Sequence, residues 1–195
     1  MTVSALRHPT DSASRPLPDG SWPDAKGAAG ALDVVRRFGN TINREHGAEA
    51  WRTPTELQRW LAREGYPARR VTARQLATLR DLREHLWRCI VERSLDPLAG
   101  TIERFDLAAS VVDGEMVLIA RRHGVDDVVA ALVTAIVSAR HDGSWPRLKA
   151  CEHCDWIFYD GSKNRGGRWC SMQACGGRLK AQSYRRRHRM PVGSR

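Results

Sequence analysis

Four of the chain's five cysteines fall within 25 residues, spaced Cys151-x2-Cys154-x15-Cys170-x4-Cys175. A C-x2-C pair lets two sulfurs of one tight turn face the same ion, and a second pair returned by a loop completes a tetrahedron that suits Zn2+. Four protein ligands leave no position for water, so the expected cofactor is a single, structural Zn2+ held by Cys151, Cys154, Cys170 and Cys175. The x4 spacing of the second pair departs slightly from a plain zinc ribbon. No stretch approaches the roughly 18 consecutive apolar residues a membrane helix needs, and the first 30 residues lack a secretory apolar core. The expected compartment is the cytoplasm, where thiols stay reduced and a cysteine cluster reads as metal ligands before disulfides. His153 and His188 are then surplus, expected at the surface, and Cys89 is an ordinary core thiol on the apolar side of a helix.

The charge sits with the cysteines. Residues 147–195 carry 12 Lys/Arg against three acids (Glu152, Asp155 and Asp160), a net of +9, while residues 1–146 carry 20 against 19. Four thiolates on one Zn2+ would lower the segment to roughly +7, still the balance of a polyanion-binding module. The run RLKAQSYRRRHR follows Gly176-Gly177 directly. On a helix, Arg178, Gln182, Arg185 and Arg189 share one face, and Lys180, Tyr184 and Arg187 line a neighbouring strip, with Arg186 completing the basic run. Arginine forks suit phosphates and guanine edges, and Gln182 suits adenine. Lys163, Arg165 and Arg168 in the loop between the cysteine pairs would add backbone contacts. A basic run alone is often just a solvated end; beside a metal site that fixes its direction, nucleic acid is the expected partner, with DNA foremost and RNA chemically equivalent. Trp156, Phe158, Tyr159 and Trp169 read as the module's core, and Trp156–Tyr159 as a short strand.

The rest of the chain reads as mainly helical. Residues 1–30, polar and rich in Pro and Gly, form an arm whose composition cannot support a packed core. Leu32, Val35 and Phe38, then Ile42, return at helical spacing, with Gly39-Asn40 bending or ending that first helix. Thr53, Pro54 and Glu56 open a second helix with a capping box, burying Leu57, Trp60 and Leu61 and stopping at Gly65. A second box, Thr72 to Gln75, opens a longer one with Leu76, Leu79, Leu82, Leu86, Trp87, Ile90 and Val91 inward, ending before Asp96-Pro97. Alternating residues around Asp113-Gly114 predict a hairpin, and a further helix begins near Asp126.

The run WCSMQACGGRLKAQSYRRR resembles the CGNR-type zinc finger, whose hallmark is W-C-S-M-x-x-C-G-N-R after a cysteine pair. The match falls at Trp169, Cys170, Ser171, Met172, Cys175, Gly176 and Arg178; Gly177 stands where that family has asparagine. Upstream, LDVVRRFGNTIN resembles the F-V-N-T segment of the ABATE domain, with Gly39 where an apolar residue is usual, and TPTELQRWL resembles its next helix. The resemblance implies a bacterial transcription regulator with a sensing or effector domain ahead of a DNA-binding finger.

The expected fold is therefore a mainly α domain with a small β-hairpin (α+β) over residues 31–145, preceded by the 1–30 arm. A treble-clef-like or zinc-ribbon-like finger ending in a basic helix follows over 146–195. Asn40 and Thr41 are the polar residues of the N-terminal domain where an effector would be sought; a helix cap inside the fold suits them equally. A homodimer fits a regulator of this kind. No nucleophile–base–acid set or phosphate-binding glycine loop appears, Gly166-Gly167 lacks a P-loop context, and Asp126-Asp127 reads as a helix start, so no enzymatic activity is expected. The alternative function is a zinc-thiolate protein-interaction or redox-switch module without sequence-specific DNA binding.

Overall fold

Apolar spacing carries the first helix, α1 (Leu32–Gly39), which buries Leu32, Val35 and Phe38. The computed structural model describes residues 27, 28 and 30–177, so the arm expected over 1–30 lies almost wholly outside the described residues. A hairpin of two-residue strands follows α1, with β1 (Ile42–Asn43) antiparallel to β2 (Ala48–Glu49), so Ile42 lies in a strand and not in a continuation of the helical spacing. Strands this short lack the run of alternating residues that makes a strand legible.

Two threonines then start two helices as their sequences predict. In α2 (Pro54–Arg63) the Thr53 hydroxyl accepts from the Glu56 N–H and the Glu56 carboxylate accepts from the Thr53 N–H. Thr72 and Gln75 repeat the arrangement ahead of α3 (Ala73–Glu92). The expected stripe of α3 is buried except at its end: Trp87 is half-buried, and Val91 is 47% exposed. Each residue turns about 100° around the helix, which carries Val91 off the face that Leu86 and Ile90 share. The helix ends before Asp96-Pro97, as expected; Arg93 adopts a left-handed conformation (φ 59°) and stops it at Glu92.

The Asp113-Gly114 turn has both residues at positive φ (50° and 82°), as a tight two-residue hairpin requires. It joins β3 (Leu107–Val112) to β4 (Glu115–Ala120), in register from Leu107 with Ala120 to Val112 with Glu115. The last helix, α4 (Val125–His141), starts where the Asp127 carboxylate accepts from the Gly124 N–H at 2.7 Å. The Thr134 hydroxyl on α4 accepts the Leu118 N–H at 3.0 Å, holding the hairpin against that helix. A third antiparallel pair, β5 (Leu148–Ala150) and β6 (Ile157–Tyr159), belongs to the cysteine segment. The result is an α+β fold, and one continuous core runs from Val35 and Leu79 through Val129 to Leu148, Ile157 and Phe158.

The tiny β1–β2 hairpin has a definite task. It brings Glu49 to Arg83 of α3, whose guanidinium donates to both carboxylate oxygens (2.8 and 2.6 Å) and to the Thr41 hydroxyl (3.0 Å). Arg83 is 2% exposed, and its guanidinium carbon lies 5.3 Å from the centre of Trp51. Trp51 in turn meets Phe38 and Trp60 edge-to-face, at 5.3 and 4.9 Å between ring centres. Removing one member of a buried ion pair costs about 3–5 kcal/mol. Arg83→Ala should fall at the low end, about 3 kcal/mol, because Arg80 Nε stands 3.7 Å from Glu49 and supplies some compensation. Urea unfolding of the variant beside the parent measures it.

Candidate metal centre and its basic surround

The turn between β5 and β6 is a cysteine knuckle. The Cys151 N–H donates to the Trp156 carbonyl and the Asp155 N–H to the Cys151 carbonyl, each at 2.9 Å, with Asp155 at φ 59° reversing the chain. Cys151 and Cys154 thereby face the same interior point. The chain returns beside this knuckle, with the Glu152 N–H donating to the Arg168 carbonyl (3.1 Å) and the Cys170 N–H to the Cys151 sulfur. Cys175 lies in a short π-type turn, Met172–Gly176, where the Gly176 N–H reaches the Ser171 carbonyl at 3.1 Å. A turn one residue wider than α-helical accounts for the x4 spacing, since it brings Cys175 back over Cys170.

All four sulfurs lie within 4.8 Å of one another. The Cys154–Cys170, Cys170–Cys175 and Cys154–Cys175 separations are 3.6, 3.8 and 3.6 Å. A tetrahedral Zn2+ with Zn–S bonds near 2.3 Å requires sulfurs about 3.8 Å apart, so the donor set fits the ion. The cysteines are at most 2% exposed and none is in a disulfide. Their electrostatics favour a cation as well. Thiol hydrogen bonds from Cys154, Cys170 and Cys175 push the Cys151 thiol down, while the same crowding and burial push Cys170 up. One thiolate is welcome among three S–H donors and further ones repel, a conflict that a divalent ion removes.

A second network, around Asp160, shapes the loop between the cysteine pairs. Its buried carboxylate accepts from Lys149 Nζ (2.6 Å) and from the N–H groups of Ser162 (3.1 Å) and Gly167 (2.7 Å). Lys149 also donates to the carbonyls of Arg165 and Gly167, and Arg147 donates to those of Asp160 (2.9 Å) and Ser162 (3.0 Å). A Cβ at Gly167 would stand 2.7 Å from the Asp160 carboxyl, so the loop closes only on glycine. Burial alone would raise the Asp160 pKa; Lys149, Ser162 and Gly167 instead hold it well below the usual carboxylate range. The sequence places Ser162 in an Asp160-Gly161-Ser162 turn and Gly167 in a glycine pair, but no local pattern in it points to Lys149 as the partner of Asp160.

The loop holds Lys163 and Arg165 outward, both exposed. Arg168 is exposed too, but its guanidinium grips both oxygens of Glu152 and lies 5.2 Å from the centre of Trp169. Arg178, Lys180, Gln182, Arg185, Arg186, Arg187 and Arg189 lie outside the described residues, as does His188. His153 is no part of the sulfur cluster; its Nε2 sits 3.8 Å from Glu45. Cys89 is fully buried, and burial pushes its thiol up to about 11. Trp156 and Phe158 are buried in the shared core, and Tyr159 and Trp169 pack against it.

Asn40 and Thr41 are both interior and bonded within the fold. The Asn40 amide donates to the Ile157 carbonyl (2.7 Å) and accepts from the Ile157 N–H (2.8 Å). The Thr41 hydroxyl donates to the Phe38 carbonyl at 2.8 Å and accepts from Arg83. Neither residue lines the principal clefts of the helical body. The cysteine segment is fixed to that body at two further points: Trp87 Nε1 donates to the Asp155 carbonyl (3.2 Å), and Arg93 donates to those of Pro146 and Leu148 (3.0 Å each).

Residues 147–188 match the family model of the CGNR zinc finger, which spans both cysteine pairs. No curated protein matches the chain. Among the described residues, no helix is long and apolar enough to cross a membrane.

Two outcomes are expected. The purified protein should hold one zinc ion per chain by elemental analysis, and Cys154→Ser should lose it. Asp160→Asn removes a charge-assisted anchor, so the Ser162 and Gly167 amides should exchange with solvent roughly tenfold faster at neutral pH. The sign follows from a folded-state pKa below the unfolded value: the stabilisation is complete above the ordinary carboxylate range and is lost as pH falls from that range through the depressed pKa of the folded Asp160.

Proposed function

We propose that the protein is a zinc-dependent, DNA-binding transcription regulator. Its finger, treble-clef-like in arrangement, orients the basic segment 178–189 as a helix against DNA. The observation that carries this reading is the set of buried sulfurs at tetrahedral spacing, the last of them, on Cys175, separated from Arg178 only by Gly176 and Gly177. The ion, when bound, joins the two cysteine pairs into one rigid unit and performs no chemistry on a substrate. Lys163 and Arg165, exposed on the loop between those pairs, suit phosphate contacts flanking the basic segment. The helical body, which resembles the ABATE domain, would serve effector sensing or dimerisation, and a two-fold dimer would present two fingers to paired half-sites.

The redox-switch alternative requires thiolates that an oxidant can reach. Their burial argues for a structural ion instead.

Fluorescence anisotropy with duplex DNA over a salt series tests the proposal. Affinity should fall steeply with salt, and Arg185→Ala with Arg187→Ala together should flatten the log–log slope by about 2, roughly 0.9 per lost phosphate contact. Zinc content should stay unchanged in that double variant. An unaltered slope, or DNA binding that survives complete removal of zinc, contradicts the proposal. Tighter binding to an RNA hairpin than to duplex DNA would reassign the partner.

A further inference from the structure

Far along the chain from the sulfur cluster, the first turns of α3 and α4 flank a cleft of about 790 Å³. The 3-10 turn Ile102–Arg104 leads into it from the side. Three guanidinium-bearing residues, Arg74, Arg104 and Arg122, line it, and Asp126 is the one carboxylate among its described lining residues. That carboxylate accepts the Asp106 N–H, so it ties the segment ahead of β3 to the start of α4. The arginines are poorly matched inside the protein. Arg74 has no ion-pair partner among the described residues. Arg104 reaches Asp81 only at 3.9 Å and Arg122 reaches Asp106 at 3.5 Å, with all four side chains well exposed. Exposed pairs of that length hold a cation weakly and yield to a multivalent anion.

Helix α3 begins at this cleft with no acidic residue in its first turn, so its electropositive end adds to the same field. Phe105, packed partly into the core, gives the cleft one apolar wall. Its volume lies within the roughly 300–1,000 Å³ of small-molecule sites, whereas a nucleic-acid duplex is too broad a rod to enter it. We propose that this cleft binds a small organic phosphate carrying at least two anionic groups, its phosphates among Arg74, Arg104 and Arg122 and its organic part against Phe105. The site is separate from the finger and does not rest on the finger's binding DNA.

The test is a titration of zinc-loaded, isotopically labelled full-length protein with inorganic pyrophosphate, then adenosine diphosphate, at constant ionic strength, followed by amide chemical shifts. Saturable shifts should centre on residues 73–78, 104–106 and 122–126. Arg74→Ala and Arg104→Ala, both surface changes that leave the rest of the spectrum in place, should each weaken binding about tenfold or more. Adenosine diphosphate should bind more tightly than pyrophosphate in the parent, and Phe105→Leu should narrow that gap. Shifts confined to residues 147–177, equal affinity in the parent and both arginine variants, or a response of these amides to a DNA duplex and not to pyrophosphate would each overturn the proposal.

Discussion

Strand β6 has two edges, and both are occupied: β5 pairs along one, and the side-chain amide of Asn40 takes the other by bonding the N–H and carbonyl of Ile157. A metal-binding module this small has little core of its own. Here the shortage is met by packing against α1 and α3, so Leu148, Ile157 and Phe158 are as deeply buried as the helical core. A buried strand edge left without partners would carry the full desolvation cost of its polar groups. Asn40 removes that cost with a single residue. Gly39 makes the approach feasible, since a Cβ there would fall 2.2 Å from the Ile157 Cδ1 atom. The position of the sulfur cluster relative to α1 follows from this contact.

What the sequence revealed were features whose causes lie close together in the chain. The two capping boxes, the Asp113-Gly114 turn and the cysteine spacing each express a preference settled within a few residues, and each is found where it was read. Asn40 was noticed as a polar residue near a helix end, but its partner is 117 residues away, and no local pattern could name it. Gly39 looked like a departure from an apolar position, and the reason for it is visible only with Ile157 in place. Arg83 illustrates the same limit. An arginine in a helix reads as a surface residue until a two-residue hairpin delivers Glu49 and Trp51 to it. Extending the apolar stripe of α3 to Val91 carries it one residue too far around the helix, onto the exposed side.

The cysteine segment is organised from two centres. One is the sulfur cluster, which sets the knuckle and the π-type turn. The other is the Lys149–Asp160 pair, which folds the intervening loop with side-chain bonds to backbone groups. A loop of this length tied only at its ends would wander. Pinned at Ser162, Arg165 and Gly167, it holds one shape between two fixed cysteines.

That arrangement also separates the segment's nominal valence from its usable one. Lys149 is neutralised by Asp160, Arg168 by Glu152, and Arg147 is tied to two peptide oxygens. Of the described cations in the matched region, Lys163 and Arg165 alone stand with their headgroups uncommitted. Among the described residues of the cysteine segment, positive potential is thus concentrated at two neighbouring points on one loop. Anything polyanionic that settles there meets a surface that favours particular alignments over others.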